Sequence, residues 1–308
     1  MKVQPYRFSR MQQWFGPSSF AALHIGHEEA FYISLVRKDD ELALKQHASI
    51  RLHKHTIGHD GITNEAALLV ALREMKKVVE LREVALVIPS HKGTELTLRE
   101  IRREQETYKR IARAAGFRTR SVVYEEEALA KHLAPLRMQA PELFVHVGKT
   151  ESEISIVSHG VSVGAKFSLF GGENLTHLLA QTYGLTMHDA ETIKQNKGLK
   201  TDKEGKILSI LTNAAHVLKE DIDRTHMYWS RQMKNVDVSH EAISHIKLLG
   251  SESVMPGLPE YLSHSLRMKV DYIDAWQGIL DIQKNLPHLS KKDSLDYIYA
   301  LGGVMSVL

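Results

Sequence analysis

The stretch Ala21-Ala22-Leu23-His24-Ile25-Gly26-His27-Glu28-Glu29-Ala30-Phe31-Tyr32-Ile33-Ser34-Leu35 governs the reading of this chain, because its pattern returns at Leu143-Phe144-Val145-His146-Val147-Gly148-Lys149-Thr150-Glu151-Ser152-Glu153-Ile154-Ser155-Ile156-Val157. Each copy is an apolar run that ends in histidine, a β-branched residue and glycine. A short polar turn follows, then a second run with apolar residues at period two, so each copy predicts a β-hairpin. Two copies predict two related lobes.

Outward from the first hairpin, a third strand is predicted at 41–52, alternating through Leu42, Leu44 and Ile50. A helix over 64–81 follows, with Asn64 as N-cap and Leu68, Leu72, Met75 and Val79 on one face. The compact apolar run from Val84 to Ile88, closed by Pro89, reads as a buried strand. A charged helix from about Leu98 to Ala115 stops at Gly116, Arg118–Tyr124 is a strand, and Glu125–Leu133 is a short helix. Its leading Glu125, Glu126 and Glu127 suit a first turn, where carboxylates oppose the macrodipole, better than acid/base chemistry. The order is three strands, helix, strand, helix, strand. The second hairpin opens the same order again, with strands near 143, 153 and 161, a helix from Glu173, further helices to about Met233, and strands at 243–249 and 269–274. Pro135–Pro141, which lacks periodicity, marks the boundary between lobes.

Composition narrows the class. The 40 basic and 37 acidic residues leave a formal charge of +3, too little over 308 residues to imply nucleic acid. The chain has no cysteine, which excludes disulfides and thiolate chemistry and suits a reducing compartment. Met1–Arg10 has no apolar run of signal-peptide length, and no stretch approaches the roughly 18 apolar residues of a membrane span. A cytoplasmic protein is expected. Eighteen histidines make its surface charge sensitive to pH below 7.

A third marker, Leu248-Leu249-Gly250-Ser251-Glu252-Ser253-Val254-Met255-Pro256-Gly257-Leu258-Pro259, is a buried strand running into a small-residue turn and a helix. With the two hairpins, in this order, it resembles the phosphate-1, phosphate-2 and adenosine segments of the actin-like ATPase superfamily. Within that superfamily the chain resembles the PilM family of type IV pilus assembly, itself similar to the cell-division FtsA proteins. The resemblance is strongest from Leu143 to Leu266, through Phe170-Gly171-Gly172-Glu173-Asn174-Leu175-Thr176, Gly184-Leu185-Thr186 and Ala190-Glu191-Thr192-Ile193-Lys194. It implies an α/β fold of two ribonuclease-H-like lobes facing across a cleft: 1–137, joined by a returning helix within 288–308 (from Asp293 to Val307), and 138–287. His24, His146 and Gly250 are expected at that cleft. The family's extra first-lobe subdomain has no room here, since only Ser90–Thr97 separates the strand ending at Pro89 from the next helix.

The resemblance also places a nucleotide site on His24, Gly26, His146, Gly148, Lys149, Thr150, Gly171, Gly172, Glu191, Lys194 and Gly250, with ATP and Mg²⁺ as its ligands. Several of these depart from the pattern. Where the family ends each hairpin's first strand with a magnesium-holding acid, this chain has His24 and His146. Magnesium wants oxygen ligands, and a protonated imidazole would repel it. In the first turn Glu28 and Glu29 would repel a triphosphate, whereas Lys149 and Thr150 in the second suit one. The last marker keeps one glycine, Gly250, where the family has two or three. Each position also has a structural reading: the histidines as satisfied polar residues or as ligands of a transition metal, Gly171-Gly172 as a tight turn or an anion site at a helix start, and Glu191 with Lys194 as a solvated i, i+3 pair. His53, His55 and His59 read as a polar loop rather than a metal site.

Two functions follow. One is a PilM-like cytoplasmic scaffold that docks onto inner-membrane pilus components, such as the cytoplasmic tail of a PilN-like protein, with nucleotide binding reduced or lost. The other is an active ATPase or small-molecule kinase of the same superfold, which would need the acids that the two histidines replace. Filament formation is a third reading that no sequence feature measures.

Overall fold

The computed structural model describes residues 18–38, 40–58, 61–90, 96–138, 140–200, 206–234 and 242–308. Contacts divide the chain into two units, one made by the chain up to Arg137 with Asp274–Leu308, the other by Met138–Ile273. Of the loop histidines, His59 lies outside the described residues, as does the middle of the 90–97 connection.

In the first unit β1 (Ser19–Ile25), β2 (Glu29–Lys38) and β3 (Glu41–Arg51) form an antiparallel meander. Two short strands, β4 (Ile57–Gly58) and β5 (Gly61–Ile62), pair with each other ahead of α1 (Glu65–Val78). Then come β6 (Glu83–Ile88), α2 (Leu98–Ala114), β7 (Arg118–Tyr124) and α3 (Glu125–Leu133). The sheet order is β3-β2-β1-β6-β7, with β1, β6 and β7 parallel. Leu68, Leu72, Met75 and Val79 meet Leu23, Ile25, Tyr32 and Leu86 in one core cluster, and each such fully buried side chain contributes about 1.5–3 kcal/mol. Asn64 Oδ1 accepts the Ala67 N–H at 3.0 Å, so α1 starts where its cap dictates. It ends at Val78, short of the expected 81, because β3 intervenes. Gln46 Nε2 donates to Val78 O at 2.6 Å and Gln46 Oε1 accepts the Glu80 N–H at 3.1 Å, capturing backbone groups that another turn would use.

The second unit repeats the topology. β8 (Glu142–Val147), β9 (Ser152–Ser158) and β10 (Val161–Ser168) form its meander, followed by α4 (Gly172–Tyr183), α5 (Met187–Lys197) and α6 (Lys206–Lys234). β11 (His245–Leu249), α7 (Leu258–Leu266) and β12 (Lys269–Tyr272) complete the sheet β10-β9-β8-β11-β12, with β8, β11 and β12 parallel. Leu211, Ala215, Leu218 and Ile222, at helical spacing on α6, pack into the core around Val145 and Ile154.

The last helix expected at 293–307 is divided. Ser290 caps α8 (Lys291–Ser294), a 3₁₀ turn at Leu295–Tyr297 sets Tyr297 edge-on to Phe31 and His47, and α9 (Ile298–Met305) follows. α9 belongs to the first unit and approaches it at van der Waals limits: a Cβ on Gly302 would stand 1.9 Å from Ala128 O, and one on Gly303 2.9 Å from Ala22 Cβ. Among the described residues no helix is long and apolar enough to cross a membrane.

Candidate functional site

The two hairpin turns close alike. Gly26 N–H donates to Glu29 O at 2.9 Å and Gly148 N–H to Glu151 O at 3.0 Å. A Cβ at Gly148 would lie 2.6 Å from the same carbonyl, so close approach demands glycine there. The residues spanned differ in charge, His27 and Glu28 in the first turn against Lys149 and Thr150 in the second.

His24, near the end of β1, is 3% exposed, stacked on Phe31 at 5.7 Å and edge-on to Tyr299 at 5.2 Å. Its Nε2 lies 2.6 Å from Oε1 of Glu125, whose Oε2 accepts the Ser90 N–H at 3.1 Å. Burial pushes the imidazole down to about 3, so it is neutral and shares a single proton with the Glu125 carboxyl across Nε2. Its Nδ1 is buried without a hydrogen bond. Glu125 does more than the expected first-turn work, since this acid at the start of α3 is 5% exposed and turned inward onto the histidine. Deeper in the same helix His132 is also buried, and burial pushes it to about 4.

In the second unit His146 is only half-buried, paired in register with Glu153 and with Leu249. Gly250 follows β11 with φ 84°, and a Cβ there would fall 2.8 Å from the His146 ring and 2.5 Å from Val147 O. The Gly171-Gly172 pair starts α4 against the turn. Gly172 N–H donates to Gly148 O at 3.0 Å, Glu173 N–H donates to Lys149 O at 2.7 Å, and Asn174 Nδ2 donates to Thr150 O at 2.6 Å. A Cβ on Gly171 would meet the Thr150 carbonyl carbon at 2.3 Å. Two N–H groups that a helix start offers to anions are thus taken by backbone carbonyls.

Lys194 and Glu191 are not a solvated pair. Lys194, on α5, is 3% exposed, and its Nζ lies 2.8 Å from Glu252 Oε2, 2.9 Å from Glu191 Oε2 and 2.9 Å from Gly172 O, which uses all three ammonium protons. Burial alone would raise Glu191, but hydrogen bonds from Thr176 and Lys194 outweigh it and hold the carboxyl below its ordinary range. Glu252 stands in the 3₁₀ turn after Gly250, and its carboxylate occupies the space where a Cβ of Gly172 would be.

The family is decided by the pattern over the last two thirds of the chain: residues 117–307 match the model of the type IV pilus assembly protein PilM family. The chain belongs to that family. Solved structures agree on the PilM-like, actin-like fold. The PilM-PilN type IV pilus biogenesis complex superposes with TM-score 0.68 at 14% identity, over 93% of this chain and 98% of that one. The ethanolamine utilization protein EutJ from Carboxydothermus hydrogenoformans gives 0.60 at 16%, over 95% and 92%. MreB 5 of Spiroplasma citri bound to AMPPNP gives 0.60 at 11%, over 94% and 95%.

Within this PilM-family chain, His146, Gly148, Lys149, Thr150, Gly171, Gly172, Glu191, Lys194 and Gly250 gather around one end of the second sheet, while His24 and Gly26 belong to the first unit. Sequence reasoning missed Glu125 and Glu252 as partners. Nothing local marks Glu125, which is 101 residues from His24. Glu252 did carry a signal, because a glutamate two residues after Gly250 stands in an otherwise small-residue turn, between Ser251 and Ser253. Among the described residues no group of three His, Asp or Glu side chains is placed to hold a metal ion.

Proposed function

We propose that the chain is an actin-like scaffold of a type IV pilus or related secretion assembly, docking at the inner face of the cytoplasmic membrane onto a PilN-like component, with nucleotide binding reduced or lost. The observation that carries the loss is Lys194. Its ammonium is already satisfied by Glu252, Glu191 and Gly172 O, so a phosphate would have to displace an internal carboxylate and leave it unpaired beside a second one. The first unit supports the same reading: a neutral imidazole held by Glu125 offers Mg²⁺ no oxygen, and Glu28 and Glu29 add negative charge at the turn. The PilN-like partner rests on family membership and on the likeness to the PilM-PilN complex.

Titration calorimetry with Mg²⁺-ATP tests the nucleotide half, with no saturable heat expected. Micromolar binding that disappears on chelating the metal would overturn it and move the protein into the ATPase class. Purification of the tagged protein from its native cell tests the other half, and recovery without any inner-membrane pilus component speaks against the scaffold.

A further inference from the structure

We propose that the outer side of α1 and α2 in the first unit is a contact surface for an anionic lipid leaflet. The two helices lie side by side on one face of the sheet. Leu68, Leu72 and Met75 share a core cluster with Tyr108, Ile111 and Ala112, and Arg110 reaches across to Glu65 at 2.7 Å. On α2, Arg99, Arg102, Arg103, Arg110 and Arg113 recur at helical steps and are all exposed. Arg73 is exposed on α1. Of these six, only Arg110 has an ion pair among the described residues. The six basic and three acidic residues of α2 leave it +3, as much as the formal charge of the whole chain.

Three large aliphatic side chains stand exposed on the same two helices: Val70 (59%), Val78 (63%) and Leu98 (74%). That mixture selects the partner. Guanidinium groups take phosphate bidentately, and a leaflet accepts aliphatic side chains just below its phosphates. A duplex backbone takes the arginines but gains nothing from exposed valine and leucine. The row also runs along one 17-residue helix, about 25 Å in length, which suits contact with a plane. This surface is independent of the nucleotide reading and of any docked protein.

Co-sedimentation of the full chain with vesicles tests it, at about 150 mM salt so that distant charges are screened. Binding is expected to phosphatidylcholine vesicles containing phosphatidylglycerol and not to phosphatidylcholine alone. Arg99→Glu with Arg102→Glu and Arg103→Glu should lower binding at least about tenfold at unchanged thermal unfolding, and Val78→Ser with Leu98→Ser should lower it at unchanged charge. Arg224→Glu with Arg231→Glu, on α6 of the second unit, should leave it intact. The proposal is overturned if the unmodified chain ignores anionic vesicles, if either α1–α2 variant binds as well as the parent, or if the α6 variant loses as much. Tighter binding to duplex DNA or to polyglutamate than to vesicles, lost in the same arginine variant, overturns it in favour of that partner.

Discussion

Nζ of Lys194 lies 2.8 Å from Oε2 of Glu252, a residue 58 positions further along the chain, and joins α5 to the turn that follows β11. With Gly172 O as the third partner, one ammonium ties together α5, the start of α4 and the turn after β11. The internal carboxylates neutralise the lysine.

Removing the lysine should therefore be costly. Lys194→Met leaves Glu191 and Glu252 facing each other, and a broken buried pair costs about 3–5 kcal/mol. Both acids are partly exposed, 32% and 20%, so the low end, about 3 kcal/mol, is expected in a urea titration. Adding Glu252→Gln should recover part of it, and a change within experimental error for Lys194→Met alone would show that the network carries no stability.

An acid at position 24 should harm the first unit. His24→Asp sets a carboxylate beside Glu125 in a site where the histidine is 3% exposed, and two such carboxylates must share a proton. The variant should lose about 2–4 kcal/mol and grow less stable as pH rises from 5 to 8. His24→Asp with Glu125→Gln should be better tolerated. Equal stability of the single variant and the parent across that range would contradict the placement of Glu125.

The unmodified protein should show the opposite slope. His24 and His132 are held down to about 3 and about 4 by burial, so the folded state stays unprotonated where the unfolded chain binds protons. Their contribution is fully present above the ordinary value of 6.5 and is lost as pH falls toward 4 and 3. Near pH 5, unfolding should take up close to two protons from these groups, a slope approaching about 2.7 kcal/mol per pH unit, and His132→Gln should remove about half of it. Chemical denaturation at several pH values measures this, and an unchanged slope in the variant would mean that His132 is not a buried neutral group.

Gly302→Ala should loosen α9 from α3. The added methyl would stand 1.9 Å from the Ala128 carbonyl oxygen, which is backbone and cannot rotate away. A loss of about 3 kcal/mol, at the upper end for overpacking, is expected in thermal or urea unfolding. Gly303→Ala meets side-chain atoms, Val87 Cγ2 at 2.6 Å and Ala22 Cβ at 2.9 Å, and should cost less. The reverse ranking would place the tight contact on the sheet side.

Much of the fold was legible in the residues. The two hairpins, the Asn64 cap, the stop of α2 before Gly116, and the start of α3 at Glu125 all rest on interactions spanning a few residues, which periodicity and cap chemistry report directly. The end of α1 was not, because Gln46 of β3 sets it from 32 residues away. Nor was the 3₁₀ break before α9, where Tyr297 packs on Phe31 and His47.

The candidate site divides in the same way. By itself the sequence determined which residue types stand at each motif: histidines in place of acids, Glu28 and Glu29 in the first turn, a single glycine after β11. Only the tertiary structure decided what those side chains meet. His24 turns onto Glu125 because β1 and the start of α3 converge in the first unit, and Lys194 is spent on Glu252 because α5, α4 and the turn after β11 meet in the second. A buried charge or polar group takes its character from the partner that neutralises it, and chain separations of 101 and 58 residues put that partner beyond any local pattern.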